Sequence, residues 1–299
     1  MSRRLVNFLR APGCTALLCA FAALPARGQE AAVEPGAVAT PAAPREPLPL
    51  WEVGAVAIGA YLPAYPGADQ ELARARILPF GIYRGSMLHV DDSGIGLRAY
   101  RTPRVEWDLS ASAAFGASAN SVRARAGMPA IGYLGEIGPA LKINLGDLLD
   151  ARRDARSTRL EVPLRAVFEA RGGISHQGWT FEPRLTHVAW SGSTAALALS
   201  ASALVGDRKL NHLYYGVDAP YATSTRPAYA ASAGLVALRL GASLRHRIDA
   251  TLRMVYFVQL ETVRGAANEA SPLVRSKQDG GAGVSLIWGA WHSAQGGVE

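Results

Sequence analysis

Apolar and polar residues alternate with a period of two over long stretches of this chain, the pattern of strands with one apolar and one polar face. Over 51–61, Trp51, Val53, Ala55, Ala57, Gly59 and Tyr61 share a face that carries an aromatic at each end. Over 105–115, the odd positions are Val105, Trp107, Leu109, Ala111, Ala113 and Phe115, opposite Glu106, Asp108, Ser110 and Ser112. Over 159–171, Leu160, Val162, Leu164, Ala166, Phe168 and Ala170 face one way and a row of charges the other. The stretch 244–260 keeps its even positions apolar throughout and reads as one run, long enough to leave a membrane and continue into a loop. Further strand candidates are 74–83, 87–100, 133–145, 179–190, 194–205, 228–240 and 283–291.

Ten residues of strand tilted by about 40° climb roughly 25 Å, the height of the apolar band of a transmembrane barrel. Trp51 and Tyr61 are therefore expected in opposite aromatic girdles, and Trp107 and Phe115 are further candidates for the girdle. About 250 residues at some 20 per strand and connection supply roughly 10 to 14 strands, and because such barrels use even numbers about twelve is the expectation. The fold class this predicts is all-β, an antiparallel transmembrane β-barrel of the outer membrane. A soluble sandwich or a lipocalin-like barrel also alternates, but successive charges on the polar faces and aromatics ending the apolar ones favour the membrane form. Glycines within or beside the strand candidates, such as Gly59, Gly241 and Gly283, relax curvature, and none opens a helix as a dinucleotide fingerprint requires.

The start of the chain reads as a leader. Arg3, Arg4 and Arg10 precede an apolar stretch from Cys14 to Leu24, and Ala26-Arg27-Gly28 supplies a small-x-small cleavage site before Gln29. Residues 1–28 are thus expected to be a signal peptide that exports the protein to the envelope of a Gram-negative cell. A membrane anchor would need about 20 apolar residues, which Pro25, Arg27 and Gly28 cut short. Residues 29–49, with five prolines between Pro35 and Pro49, read as an extended periplasmic arm, and 50–299 as the barrel domain with a short polar tail. Both cysteines, Cys14 and Cys19, fall in the leader, so the mature chain is expected to hold no disulfide, thiolate metal site or cysteine nucleophile. Removing the leader's four arginines turns a formal charge of +7 into +3, and the basic balance no longer implies nucleic acid.

The row Arg159, Glu161, Arg165, Glu169 and Arg171 is the sharpest polar feature. It fits either an ion-pair network filling a narrow interior or a lumen that selects solutes or gates; the alternating signs, which neutralise one another, favour the first. Pro163 within that strand must turn its missing donor away from a ladder bond or sit at a bulge. Residues 147–159 are charge-dense and read as a solvated loop, with a docking site as the alternative. Chemistry is hard to find. The six histidines and many serines form no nucleophile elbow of the Gly-x-Ser-x-Gly kind, and no His-x-x-x-His or acidic loop marks a metal. No catalytic, cofactor-binding or metal-binding residue is therefore assigned.

Tyr65-Pro66-Gly67-Ala68-Asp69, Arg125-Ala126-Gly127-Met128, Gly135-Glu136-Ile137-Gly138-Pro139, Leu164-Arg165-Ala166-Val167, Tyr214-Tyr215-Gly216-Val217, Arg226-Pro227-Ala228-Tyr229 and Ser271-Pro272-Leu273-Val274 occur in an order that resembles the MipA/OmpV family of outer-membrane proteins. The resemblance covers about residues 51–288. It implies an outer-membrane barrel, non-enzymatic, in a family named after a scaffold that links a murein-cleaving lytic transglycosylase to a murein synthase. Other members look like antigens or barrels of osmotic, antibiotic or metal responses, which leaves a small-solute pore or stress-response barrel as the alternative and an interfacial lipid hydrolase as a third reading. Expected partners are outer-membrane lipid and lipopolysaccharide, with a lytic transglycosylase and a murein synthase for the scaffold; no cofactor is expected. One departure is visible, because such barrels usually finish on an aromatic residue. Here Trp288 looks like the end of the last strand, yet the chain runs on to Glu299, so either Trp291 extends that strand or a polar tail follows.

Overall fold

A computed structural model describes residues 50–83, 88–91, 94–97, 100–102, 104–114, 122–146 and 158–294, all within one compact unit. The signal-peptide and arm expectations, Phe115 and most of the charge-dense 147–159 segment lie outside the described residues. Fourteen strands follow in order: β1 (Trp51–Pro63), β2 (Glu71–Tyr83), β3 (Leu88–Asp91), β4 (Gly94–Leu97), β5 (Tyr100–Arg101), β6 (Val105–Ala114), β7 (Tyr133–Asn144), β8 (Thr158–Ala170), β9 (Ile174–Phe181), β10 (Arg184–Ser191), β11 (Ala195–Gly206), β12 (Gly234–Arg247), β13 (Leu252–Thr262) and β14 (Gln278–His292). Among the described residues one complete α-helix, α1 (Arg208–Tyr215), and two single 3-10 turns interrupt them.

Twelve strands form one antiparallel sheet; β3 and β4 make a separate hairpin. The first strand pairs with the last along its length, from Glu52 opposite His292 to Tyr61 opposite Ala282. Near its two ends the ladder also meets itself, where Arg76 of β2 donates to the Tyr133 hydroxyl of β7 and lies 5.6 Å from the ring centroid. The sheet is curled into a barrel, its ladder running from β2 through the β1–β14 pair round to β5.

Opposed residues of an antiparallel pair lie on the same side, so registers fix which face each strand presents. Tyr61, Leu164, Trp179, Leu240, Leu260 and Trp288 all lie on the outer face and stay exposed, whereas Glu52, Ser110, Arg165, Glu169 and Glu261 on the inner face are buried. Apolar outside and polar inside is the arrangement of an outer-membrane barrel.

Several strand expectations need correction. The 244–260 run is a hairpin: β12 ends at Arg247, Asp249 accepts from the Thr251 and Leu252 amides in the turn, and β13 starts at Leu252. The 87–100 candidate holds β3, β4 and the start of β5 rather than one strand, and the 228–240 candidate becomes a strand only at Gly234. The 179–190 candidate is broken at Glu182-Pro183, yet Phe181 opposite Leu164 and Arg184 opposite Glu161 keep a single register across the break. Trp291 lies within β14, which settles that the last strand passes Trp288.

Trp51, His292 and the turns 192–194 and 248–251 gather at one rim. At the other lie the connections 64–70, 171–173, 207–233 and 263–277, the last two being the longest described ones. Barrels of this kind place short turns and chain ends toward the periplasm and long loops outward.

Candidate functional site: the loop cap and the ionic interior

At the long-loop rim the connections fold into a small core of their own. Tyr65 after β1, Val122 and Met128 before β7, Leu210 and Tyr215 on α1, Val217 after it, and Val263 and Leu273 between β13 and β14 are all buried in one cluster. Each such side chain taken from water contributes about 1.5–3 kcal/mol, so the loops hold together as a folded cap. α1 is fixed at its start by Asp207, which accepts from the Leu210 amide at 2.9 Å, the usual role of an N-cap aspartate. Gly67 stands at φ +84°, where a side chain would be strained, and its carbonyl accepts from the amides of Arg275 (2.8 Å) and Ser276 (3.0 Å).

Polar bonds knit the loops to one another. The Tyr65 hydroxyl donates to the Leu273 carbonyl at 2.8 Å, and that of Tyr215 to the Pro66 carbonyl at 3.1 Å. The buried Arg125 donates to the carbonyls of Leu213, Tyr214 and Pro129, and Ser271 donates to the Tyr215 carbonyl at 2.7 Å. Arg226 donates to the carbonyls of Ala124, Ala126 and Tyr221. Burial pushes the Tyr65 phenol up to about 12 and the Tyr214 and Tyr215 phenols up as well, and it lowers Arg125. Five of the seven short motifs singled out in the sequence, those at 65–69, 125–128, 214–217, 226–229 and 271–274, therefore meet in this one cap.

The other two motifs meet in the wall. Gly138 of β7 faces Leu164 and Arg165 of β8 so closely that a Cβ on it would stand 2.0 Å from the Leu164 carbonyl oxygen. The pairing of β7 with β8 breaks there, between Ile137 opposite Ala166 and Ala140 opposite Pro163. Pro139 of β7 and Pro163 of β8 lie at this level, with Pro183 in the β9–β10 break next to them. Pro163 sits beside the Glu182-Pro183 break and so withholds its missing donor from a regular ladder, as the sequence requires.

Inside, the predicted ionic row divides. Arg165 lies 3.4 Å from Glu161 and 3.7 Å from Glu136 of β7, and its Nε donates to Ser110 at 2.7 Å. Glu169 belongs to another group near the cap, where its carboxylate accepts from the Gly132 amide (2.6 Å), Gln177 (2.8 Å) and Arg171 (3.4 Å). Arg171 follows the strand and is exposed, and Arg159 is exposed near the other rim, so neither joins the interior network. The centre that sequence reading missed is Arg239, paired with Glu261 at 2.6 Å and Glu182 at 3.3 Å; Glu182 also holds Arg184 and Ser202, both at 3.0 Å. These residues come from four strands and the β9–β10 connection, and only the alternation of β12 and β13 signalled that Arg239 and Glu261 would face inward. Near the periplasmic-type rim Arg253 bonds Glu52, joining β13 to β1.

Trp51, Tyr61 and Trp107 are exposed on the outer face, Trp51 near one end of β1 and Tyr61 near the other. His212 of α1 pairs with Asp218 at 3.1 Å at the surface of the cap. Among the described residues no three His, Cys, Asp or Glu side chains gather as metal ligands.

No curated protein sequence matches the chain. Among solved structures, the NanC porin aligns with 79% of this chain and 99% of its own at 9% identity and a TM-score of 0.40. A Pseudomonas aeruginosa FadL homologue aligns with 80% of this chain and 89% of its own at 9% identity and a TM-score of 0.21. The family model described as MltA-interacting protein MipA matches residues 54–290, which takes in the cap and all of the barrel strands but the first three residues of β1 and the last two of β14. The chain belongs to the MltA-interacting protein MipA family of outer-membrane β-barrels.

Proposed function

We propose that this protein is a capped, non-enzymatic barrel that holds murein-processing enzymes against the inner face of the outer membrane. The observation that carries the reading is the folding of the long loops into a cap over one mouth, above an interior crossed by the Arg165 and Arg239 ion-pair groups. Such a barrel is built to stand in a membrane rather than to pass solutes. Its other rim, where Trp51, His292 and the turns 192–194 and 248–251 lie, is where a soluble periplasmic partner has access. The family description names interaction with MltA, in keeping with a lytic transglycosylase as one partner and a murein synthase as the other. The exported state rests on residues 1–28 acting as a leader cut before Gln29, and the outer ring of Trp51, Tyr61 and Trp107 on contact with lipid.

In-cell cross-linking followed by outer-membrane isolation and mass spectrometry tests this directly. Recovery of a murein hydrolase or synthase bound to the barrel is the expected result, and its clean absence overturns the scaffold. The polar inner wall favours one other reading, a small-solute pore. Planar bilayers separate the two: steady single-channel conductance from the purified barrel would replace the scaffold with the pore, and silence supports the scaffold.

A further inference from the structure

Four loops that are distant in sequence converge on a cavity of about 400 Å³ in the outer surface of the cap. Its walls carry three guanidinium groups, Arg123, Arg226 and Arg275, two hydroxyls, Thr223 and Thr225, and a single carboxylate, Asp69. We propose that this cavity binds an oxyanion of the phosphate class on the exterior side of the barrel.

The three arginines do different work. Arg226 is immobilised, because its Nε and both terminal nitrogens donate to the carbonyls of Tyr221, Ala124 and Ala126 at 2.8–3.2 Å. Its charge is thereby fixed at the cavity wall, and among the described residues no carboxylate pairs with it. Arg123 is the opposite case: its side chain is 78% exposed, and its one carboxylate partner among the described residues, Asp69, stands at 3.6 Å, too long for a hydrogen bond. Arg275 is anchored through its amide, which donates to the Gly67 carbonyl, while among the described residues no hydrogen bond or ion pair engages its guanidinium. The tight turn 223–226, closed by the Arg226 amide donating to Thr223 Oγ1 at 3.1 Å, presents both threonine hydroxyls beside these charges. Three cations and one anion around a partly enclosed space leave an excess of two positive charges. Planar guanidinium forks with neighbouring hydroxyls are the donor set that matches a tetrahedral oxyanion.

The cavity lies at the opposite end from the rim proposed for murein enzymes, so this inference stands independently of the scaffold. The same chemistry is offered by the phosphate of a glycolipid headgroup in the outer leaflet and by a free phosphate or phosphate ester arriving from outside. The test uses the full-length barrel in nanodiscs of phosphatidylcholine, titrated with inorganic phosphate by calorimetry. A second arm uses vesicles of phosphatidylcholine with and without lipopolysaccharide. The variant Arg123→Gln/Arg275→Gln alters two exposed side chains and leaves Arg226, on which the cap depends, intact. Loss of two charge-assisted contacts is expected to weaken binding by at least about tenfold, and raised salt to weaken it further. Saturable phosphate binding lost in the variant supports a site for free anions. Binding only to lipopolysaccharide vesicles, lost in the variant, supports the site with a lipid headgroup as its source. No saturable binding in either arm, or equal binding by the variant, overturns the proposal. Limited proteolysis of the variant, with a cap as resistant as the wild type, confirms that lost affinity does not reflect lost folding.

Discussion

The side-chain amide of Asn268, between β13 and β14, donates to Asn211 Oδ1 on α1 at 2.9 Å, and both residues are fully enclosed in the cap. Asn268 also donates to the Ser232 carbonyl and accepts from the Ser232 amide, while Asn211 donates to the Gly206 carbonyl where β11 ends. A chain of two amides thus ties helix, loop and barrel rim together. Replacing Asn268 with Ala orphans several buried groups, at about 1–3 kcal/mol each. The expected outcome is a cap that becomes sensitive to protease and exchanges its amide hydrogens faster, with the strand signal in circular dichroism unchanged. A variant cap as protected as the wild type would sink this account.

Arg239 sits between Glu261 and Glu182, both buried. Arg239→Ala removes the only cation bonded to Glu261 among the described ion pairs and is expected to cost about 3–5 kcal/mol, because a buried charge is left uncompensated. Glu261→Gln in the same chain should restore part of that loss. The temperature at which the folded band shifts on unheated gels reports both, and additive effects of the two changes would refute the coupling.

Gly135 and Gly138 stand three residues apart on β7 and differ in what surrounds them. A Cβ at Gly135 meets nothing within 4 Å, whereas one at Gly138 would collide with the Leu164 carbonyl. Gly135→Ala is expected to assemble normally. Gly138→Ala should wedge β7 from β8, lose at least about 1–3 kcal/mol and lower the yield of folded barrel. Equal yields from the two variants would contradict the close approach.

Alkaline pH should open the cap before it unfolds the barrel. The folded cap keeps the Tyr65 phenol protonated up to about 12, while an unfolded tyrosine ionises near 10. Stability from this group is therefore complete below about pH 10 and is lost progressively as pH rises toward 12. Tyrosinate absorbance and protease sensitivity should rise together across that window, and an opening complete below pH 10 would assign the event to another group.

The two-faced strands were legible in the sequence because alternation is local. Trp51 to Tyr61 and Leu160 to Ala170 could be oriented from their own residues. The β12–β13 hairpin was not legible as a hairpin. Leu240 faces Leu260 and Leu244 faces Tyr256, so even-numbered residues oppose even-numbered ones and the alternation passes through the turn unchanged. Ile248, in the turn itself, is exposed and keeps the same parity, which hides the reversal further. α1 escaped for a different reason: eight residues are too few for a helical period to show. The cap was invisible because its bonds join residues such as Tyr65 and Leu273, which lie 208 positions apart. Periodicity carries no information about contacts at that range. The same holds for Arg239 with Glu182, a pair set only once β9 to β13 are side by side.

The seam between β1 and β14 places a constraint on biogenesis. Glu52 cannot find His292 until the whole chain has been delivered, so the first strand must wait through all the others with an unsatisfied edge. Contacts of such sequence separation form slowly. The unfinished protein is consequently at its most adhesive just before completion. Truncation anywhere upstream of β14 would leave the β1–β2 hairpin with nothing to join it to β13, which makes the last strand the step that unites the start of the chain with the rest of the wall.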